Sequence, residues 1–210
     1  MRIVFYGDSI TDCGRITEYD YSLRKFGGGY VRDVAGVLAK EYPGKYDIVN
    51  RGISGNRVVD LYARIKSDLW NLNPDIVSIL IGVNDVWHNA KRNNGVEIDR
   101  YENVYRMLIQ DTKKALPNTK IIMLEPFILD GTATKEYPEE FKKVYDYAKV
   151  CKKIAHENGA YFVPLQEKFN QAAEKYGAEY CLMDGVHPAI FGAGLIAEEW
   201  LKLFKSEIVK

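Results

Sequence analysis

Four short polar clusters contain the residues of this sequence that are best suited to chemistry. They are Gly7-Asp8-Ser9-Ile10-Thr11, Asn50-Arg51-Gly52-Ile53-Ser54-Gly55-Asn56, Gly82-Val83-Asn84-Asp85 and Asp184-Gly185-Val186-His187-Pro188. Acyl transfer needs a hydroxyl nucleophile, an imidazole that accepts its proton, a carboxylate that orients the imidazole, and hydrogen-bond donors for the oxyanion. Because the clusters together supply all of these groups, we predict one acyl-transfer site assembled from distant parts of the chain.

Each cluster also has an ordinary structural explanation when it is considered alone. Ser9 can begin a helix or a turn, the glycines of the second cluster can supply positive φ, and the Asn-Asp pair can cap a helix. Asp184 and His187 can form a loop salt bridge or bind a metal, although no third ligand accompanies them. Four such explanations would have to coincide, so a shared site is the better interpretation.

The choice of the general base rests on elimination among three histidines. His156 lies within a helical pattern and is expected at the surface. His88 follows Asn84 closely and can lie near the site. His187 has an aspartate three residues before it and a proline directly after it, on a segment that leads into a helix. We therefore favour His187 as the base, with His88 as the alternative.

The segments between the clusters alternate between strand-like and helix-like patterns. Five apolar runs predict strands at Arg2–Tyr6, Tyr46–Asn50, Ile76–Ile81, Lys120–Leu124 and Tyr161–Val163. Five stretches with helical periodicity lie at Tyr30–Glu41, Val58–Trp70, Ile98–Ala115, Glu139–Asn158 and roughly Ala193–Lys205. This alternation predicts an α/β fold in which helices cover both faces of a mostly parallel sheet. No repeat or linker interrupts the sequence, so we predict a single domain over residues 1–210.

Three of the polar clusters come directly after predicted strands, and the fourth precedes the last helix. Open α/β sheets bind their ligands beyond the carboxyl ends of the strands, near the change in strand order. We therefore expect all four clusters along one rim of the sheet.

The composition argues against a nucleic-acid or membrane partner. Lysine plus arginine and aspartate plus glutamate number 29 each, so the formal net charge is zero and gives no electrostatic footprint for either. The longest apolar run, Ile76–Val83, is too short to span a bilayer, and the N-terminus lacks the apolar stretch of a secretory signal. Cys13, Cys151 and Cys181 fit neither a disulfide framework nor a zinc site. We predict a cytoplasmic protein, with secretion after removal of a signal peptide as the alternative, and a homo-oligomer is compatible with the sequence.

With these motifs, the sequence resembles the SGNH-hydrolase family, also called GDSL esterases and lipases, over nearly its whole length. The resemblance implies a flavodoxin-like three-layer α/β/α sandwich around a parallel five-stranded sheet of order 2-1-3-4-5, with no metal or organic cofactor. It implies Ser9 as nucleophile, His187 as base and Asp184 as orienting acid. It also implies an oxyanion hole formed by the N–H groups of Ser9 and Gly55 and the Asn84 side-chain amide. The residues alone would leave the Gly52 N–H as an alternative to that of Gly55.

Within this family, the residues around the motifs are most similar to intracellular bacterial acetylxylan esterases and related carbohydrate acetylesterases. These residues are Asp12-Cys13-Gly14-Arg15, Asn84-Asp85-Val86-Trp87 and Glu125-Pro126-Phe127. The esterases can carry an aromatic residue directly before the triad aspartate, where this sequence has Met183, so their substrate does not transfer in full. Candidate substrate contacts are Asp8, Trp87, His88 and Met183.

The sequence thus predicts a serine esterase that removes short acyl groups, foremost O-acetyl groups, from a small-molecule or oligosaccharide ester. Short loops and the mostly polar stretch Phe127–Pro138 favour a small acyl group, and Trp87 and Tyr30 could stack on sugar rings. Two alternatives stay open. One is a lysophospholipase or thioesterase for longer acyl chains. The other is a non-catalytic carbohydrate-binding module, which the complete set of reactive residues disfavours.

Overall fold

Runs of β-branched and aromatic residues form the central sheet in a computed structural model, which describes residues 1–16 and 22–209. The strands are β1 (Arg2–Gly7), β2 (Asp47–Gly52), β3 (Ile76–Leu80), β4 (Lys120–Leu124) and β5 (Tyr161–Val163). All neighbouring strands are parallel, in the order β2-β1-β3-β4-β5. Every residue of β3 is buried, as expected for a strand covered on both faces.

Helices occupy most of the chain between and after these strands. They are α1 (Ser9–Asp12), α2 (Tyr30–Glu41), α3 (Val58–Ala63), α4 (Ile65–Asp68), α5 (Val83–Arg92), α6 (Ile98–Ala115), α7 (Pro138–Phe141), α8 (Val144–Glu157), α9 (Gln166–Tyr176), α10 (Ala178–Cys181) and α11 (Ile190–Leu203). Short 3₁₀ segments lie at Leu23–Phe26, Trp70–Leu72 and Thr134–Glu136, and a π-helical turn, Phe204–Ile208, follows α11. None of the described helices is both long and apolar enough to cross a membrane.

Side-chain alternation along β1 divides the core into two layers. The ring of Phe5 contacts Tyr30 on α2 and Trp200 on α11, at centroid distances of 5.7 and 5.3 Å. The next residue, Tyr6, donates its hydroxyl to the carbonyl of Leu61 on α3. Neighbouring strand residues point to opposite faces of a sheet, so α2 and α11 cover one face and α3 covers the other. The three-layer α/β/α prediction is therefore confirmed.

The helices differ from the predicted ones where long-range contacts override local periodicity. The stretch Val58–Trp70 is two short helices that meet at Arg64, whose guanidinium donates to the carbonyls of Gly7 and Arg51 at the ends of β1 and β2. The stretch Glu139–Asn158 is likewise split into α7 and α8. Helices α1, α5, α9 and α10 were not predicted, and α11 begins at Ile190 rather than near Ala193.

Candidate active site

The four polar clusters meet at the carboxyl ends of the central strands. Ser9 begins α1 directly after β1, the second cluster continues from β2, and Asn84 lies in the first turn of α5 after β3. The segment before α11 reaches the same place, because His187 contacts Ser9. The expected rim is thus the place where all four clusters come together.

A chain of hydrogen bonds joins the three residues expected to perform the chemistry. Ser9 Oγ lies 3.0 Å from His187 Nε2, and His187 Nδ1 lies 2.7 Å from Asp184 Oδ2. The other oxygen of Asp184 accepts the N–H groups of Val186 and His187, at 2.9 and 2.8 Å. This geometry allows the imidazole to accept the serine proton while the carboxylate holds Nδ1 as the protonated nitrogen.

The electrostatics of the pair keep the aspartate ionised and make the histidine more basic. Burial opposes ionisation of Asp184, but hydrogen bonds from His187 and Val186 outweigh it and lower the pKa of the carboxyl to about 2. The hydrogen bond to Asp184 raises the pKa of His187, against the opposing effect of burial. Asp184 therefore carries a full negative charge at every pH where the imidazole titrates.

The loop that carries Asp184 is held by the segment after β4. The N–H of Ala133 donates to the carbonyl of Asp184, and that of Leu129 to the carbonyl of Gly185, both at 2.9 Å. A Cβ on Gly131 would lie 2.2 Å from the carbonyl carbon of Asp184, so the two backbones are in direct contact. The start of this segment, Phe127 to Leu129, is buried. These three residues therefore support the loop of the aspartate from below and do not line the site.

Three hydrogen-bond donors are available for an oxyanion beside Ser9. The N–H groups of Ser9 and Gly55 make no hydrogen bond to another described residue, and the Asn84 amide uses one hydrogen on the carbonyl of Asn56 at 3.1 Å. The Gly52 N–H donates to Asn50 Oδ1 at 2.8 Å and is therefore occupied. Of the two glycines that the residues alone left open, Gly55 is the one with a free N–H. Its φ of +82° lies in the left-handed region that glycine favours.

Asp12 and Arg15, whose roles were not predicted from the sequence, hold the loop that carries the Gly55 donor. The side chain of Asp12 accepts the N–H of Ser54 at 3.2 Å, and Arg15 Nε donates to the carbonyl of Gly52 at 2.7 Å. Asp12 and Arg15 also form a salt bridge at 3.7 Å. In the amino-acid sequence, the only indication of these roles is that both residues come directly after the first motif.

Two buried carboxyl groups lie behind the site. Asp8 accepts the N–H of Ile10 and so caps α1, while Asp85 accepts the N–H of Val58 at the start of α3, each at 3.0 Å. Burial raises the pKa of Asp8 to about 7, although the Ile10 N–H and the charge of His187 lower it. Burial also raises the pKa of Asp85. Asp8 is only 2% exposed, so the expectation that it touches substrate was wrong.

Two depressions open on either side of Ser9. One, of about 430 Å³, is mostly apolar and includes Ile10, Met183 and Ile190. The other, of about 290 Å³ and here called the polar depression, is lined mainly by polar and charged residues and contains the oxyanion donors together with Trp87, His88, Lys91 and Arg92. Ser9, Ser54 and His187 line both. Such a layout offers separate spaces for the acyl and alcohol portions of an ester.

The remaining predicted contacts occupy different positions around these spaces. Met183 is 62% exposed on the rim of the apolar depression, and His88 lines the polar one. Trp87 is half-buried between His187 and Phe141, with ring centroids 5.7 and 5.5 Å away, so packing is its main role. Tyr30 is buried and hydrogen-bonded to Thr11, so it is not available to stack on a sugar ring.

The other two histidines lie outside the hydrogen-bonded chain from Ser9 to Asp184. His156 is exposed on α8, as expected. Among the described residues, the histidine that hydrogen-bonds to Ser9 is His187 and not His88. The described part of the chain contains no group of three or more His, Cys, Asp or Glu side chains that could hold a metal ion.

Comparisons with known proteins agree with this arrangement. Residues 5–193 match the model of the GDSL-like Lipase/Acylhydrolase family. An acetylxylan esterase from Geobacillus stearothermophilus is 37% identical over 215 residues, which cover 100% of this chain and 96% of the relative. A GDSL esterase/lipase from Arabidopsis thaliana is 28% identical over 98% of this chain and 86% of its own length.

Solved structures show the same likeness in three dimensions. A structure from Parabacteroides merdae, described as a GDSL-like lipase, has a TM-score of 0.89 and 40% identity, covering 96% of this chain and 94% of its own. The Geobacillus esterase has a TM-score of 0.85 and 36% identity, covering 96% and 92%. Its variants with a serine, an aspartate or a histidine replaced by alanine are described as catalytic mutants, and that aspartate precedes the histidine by three residues. The chain therefore belongs to the GDSL-like lipase and acylhydrolase family, as its motifs predicted.

Proposed function

We propose that this chain is a carbohydrate O-acetylesterase in which Ser9 is the nucleophile, His187 the general base and Asp184 the orienting acid. The observation that carries the proposal is the continuous hydrogen-bonded chain from Ser9 Oγ through the imidazole to Asp184, next to three donors suited to an oxyanion. The substrate class is supported by the acetylxylan esterase relative and by the polar depression beside Ser9.

Acylation follows from the positions of these groups. Ser9 Oγ attacks the ester carbonyl carbon while its proton passes to His187 Nε2. The carbonyl oxygen becomes an oxyanion, which accepts hydrogen bonds from the N–H groups of Ser9 and Gly55 and from the Asn84 amide. The bond to the alcohol oxygen then breaks, and the imidazolium gives its proton to the departing alcohol. An acyl group remains on Ser9.

Deacylation repeats these steps with water as the nucleophile. His187 removes a proton from water, the hydroxide adds to the acyl carbon, and the same donors stabilise the second oxyanion. The bond to Ser9 Oγ breaks, and the proton returns from the imidazolium to the serine. The products are a carboxylic acid and the regenerated enzyme, so no external co-reactant beyond water is needed.

The apolar depression supports a second candidate substrate, an ester with a longer acyl chain. Each buried methylene stabilises a bound acyl chain by about 0.8 kcal/mol, and 430 Å³ exceeds what an acetyl group fills. A series of p-nitrophenyl esters from acetyl to octanoyl separates the two candidates. We expect kcat/KM to be highest at acetyl, whereas a maximum at six or more carbons favours the longer-chain alternative.

The nucleophile is tested by labelling with an organophosphonate. Ser9→Ala should abolish labelling and lower turnover by several orders of magnitude, with residual catalysis from the oxyanion donors. Ser54 lines the same two depressions, so Ser54→Ala is the matched control and should still be labelled. Labelling and near wild-type turnover of Ser9→Ala would overturn the assignment.

The compartment and the subunit count complete the proposal. Cys13, Cys151 and Cys181 are all free thiols, which supports a reducing, cytoplasmic setting. Met183 and Ile190 are 62% and 95% exposed beside the site and give a homo-oligomer a candidate contact. Localisation of the tagged full chain and light scattering test these two points separately.

A further inference from the structure

One face of α5 leads away from the oxyanion donors. Asn84, Trp87, His88 and Lys91 are spaced as i, i+3, i+4 and i+7, the spacing that places side chains along a single helix face. All four line the polar depression, and Arg92 joins them at its far end. With a rise of 1.5 Å per residue, Lys91 lies about 10 Å along the helix from Asn84. This is a separation of backbone positions, and the Lys91 side chain reaches back towards the Trp87 ring, so its ammonium group can meet a substituent on the alcohol portion of the ester.

The far end of this depression is positively charged. Lys91 lies 3.7 Å from Glu136, and both side chains are about half exposed, so the pair is weak. Arg57, whose charge acts on His88, is paired with Asp60 through two hydrogen bonds. Arg92 is exposed and has no ion-pair partner among the described residues. None of the described residues that line the polar depression is a carboxylate, so the charge of Arg92 is uncompensated there and that of Lys91 only partly compensated, although the whole chain is neutral.

The other side chains of this face suit a hydroxyl-rich ligand. Burial and the charges of Arg57 and Arg92 lower the pKa of His88, which keeps its ring neutral and able both to donate and to accept a hydrogen bond. Lys91 Nζ lies 5.7 Å from the centroid of the Trp87 ring, which helps to hold the ammonium group near the depression. Cations in the last turn also stabilise the C-terminus of α5. Stabilising the end of a helix does not require a cation to lie on a particular face. Lining the polar depression does require the face on which Lys91 lies.

We infer that Lys91 and Arg92 form a subsite for an anionic group, a carboxylate or a phosphate, on the alcohol portion of the ester. The ligand class is an acylated acidic sugar, such as an acetylated oligosaccharide with a uronic acid residue. This inference rests on the proposed function, because it assigns the specificity of the same site. Arg92 is then the principal residue that selects acidic over neutral substrates, because the charge of Lys91 is partly neutralised by Glu136.

The test is the ratio of kcat/KM for matched acidic and neutral substrates. The substrates are acetylated xylo-oligosaccharides with and without a uronic acid, and an acetylated sugar phosphate distinguishes phosphate from carboxylate. For the wild type we expect a ratio of about 3 to 10 in favour of the acidic substrate at low salt, the effect of one or two exposed ion pairs. The ratio should approach 1 in the Lys91→Gln/Arg92→Gln double variant and fall below 1 in Arg92→Glu. Arg100→Ala, an exposed arginine on α6 outside the site, is the matched control and should keep the wild-type ratio.

A second measurement needs no variant. Added salt screens exposed charges, so the wild-type ratio should fall towards 1 as NaCl rises to about 1 M. A wild-type ratio of 1 at low salt, or a ratio that the double variant leaves unchanged, would overturn the inference. Wild-type turnover of p-nitrophenyl acetate is measured in parallel. Its absence would overturn the proposed function itself, while its presence with a ratio of 1 would overturn only the subsite.

Discussion

At the scale of single residues, the charge on Asp184 determines the pH at which the site works. The base must be neutral to accept a proton, and the hydrogen bond to Asp184 raises the pKa of His187 above its ordinary value. The rate should therefore rise with pH and reach its plateau above the ordinary histidine range. Asp184 has a pKa of about 2, so it adds no second step at assay pH. A kcat/KM profile from pH 5 to 9 measures the position of this acid limb.

Replacing the Asp184 carboxylate tests whether its charge sets the position of the acid limb. Asp184→Asn removes the negative charge, so the acid limb should move to lower pH. The amide also fails to hold the correct tautomer, so the plateau should fall by about 10³- to 10⁴-fold. The loss should be milder than that of His187→Ala. If the acid limb of Asp184→Asn stays at the wild-type pH, another group sets it. If His88→Ala lowers kcat as much as His187→Ala does, the choice of His187 as base is contradicted.

Asn84 is expected to act on the transition state rather than on substrate binding. Its amide has one hydrogen left after the bond to Asn56, and the oxyanion that would accept it exists only during reaction. Asn84→Ala should lower kcat by about 10²- to 10³-fold with a smaller change in KM. Steady-state kinetics on p-nitrophenyl acetate separate the two constants. A change confined to KM would make Asn84 a ground-state binding residue.

Residues that perform chemistry were easier to predict than the residues that hold them. Ser9, His187 and Asp184 lie in short motifs, and their types limit what they can do. Asp12 and Arg15 hold the Gly52–Gly55 loop through bonds to backbone groups about 40 positions away, and no local pattern reports such a partner. Asp8 was predicted as a candidate substrate contact, but its side chain is turned inward and caps the start of α1.

At the scale of elements, the close contact of α1 with the end of β2 fixes the distance between nucleophile and oxyanion donors. A Cβ on Gly52 would lie 2.2 Å from the backbone nitrogen of Asp12. Gly52→Ala should therefore push the loop away from α1, lower the melting temperature and reduce kcat by at least tenfold. Thermal unfolding and esterase assays of the variant measure the two effects.

Gly36 offers a control for the same chemical change. It lies within α2, and a Cβ there would meet nothing within 4 Å. Gly36→Ala should raise stability by about 0.5–1 kcal/mol because alanine restricts the unfolded chain and favours helix, and it should leave the rate unchanged. Equal behaviour of the two variants would contradict the close-contact argument.

Strands were predicted better than helices for a physical reason. A strand such as β3 is buried on both faces, so nearly every residue in it is apolar and its limits are visible in the sequence. Helix α5 fully buries only its first turn, Val83 to Val86, and the remainder is mostly polar and either half-buried or exposed. Its apolar pattern is too short to distinguish from a loop. Helix α3 ends early at Arg64 because of bonds that join it to the ends of two strands.

At the scale of the whole molecule, the parallel sheet brings four distant clusters together but also buries carboxyl groups at their junction. The strand order places β1 between β2 and β3, so the loops that follow all three are neighbours. Asp8 and Asp85 lie beneath these loops, and each ties the start of a helix to the site. An ionised carboxylate is costly in such a place, so the fold favours the protonated form.

This cost predicts how stability changes with pH. Burial raises the pKa of Asp8 from its ordinary value to about 7, so the folded chain keeps a proton that the unfolded chain releases above about pH 4. The contribution of Asp8 to stability is therefore neutral below about pH 4, becomes unfavourable as pH rises, and levels off above pH 7. The shift corresponds to at most about 4 kcal/mol. Asp8→Asn keeps an oxygen that can cap α1 but cannot ionise.

The free energy of unfolding in urea should therefore be similar for wild type and Asp8→Asn near pH 4, and higher for the variant near pH 8. Comparing the two proteins at each pH cancels the groups that titrate alike in both, whereas His187 interacts with Asp8 and contributes to the difference between the two proteins. Asp130→Asn, which removes an exposed carboxyl group, is the matched control for the change of charge. A difference between wild type and Asp8→Asn that stays constant from pH 4 to 8 would mean that Asp8 is ionised in the folded chain. The negative charge beside His187 would then come from two carboxylates rather than one.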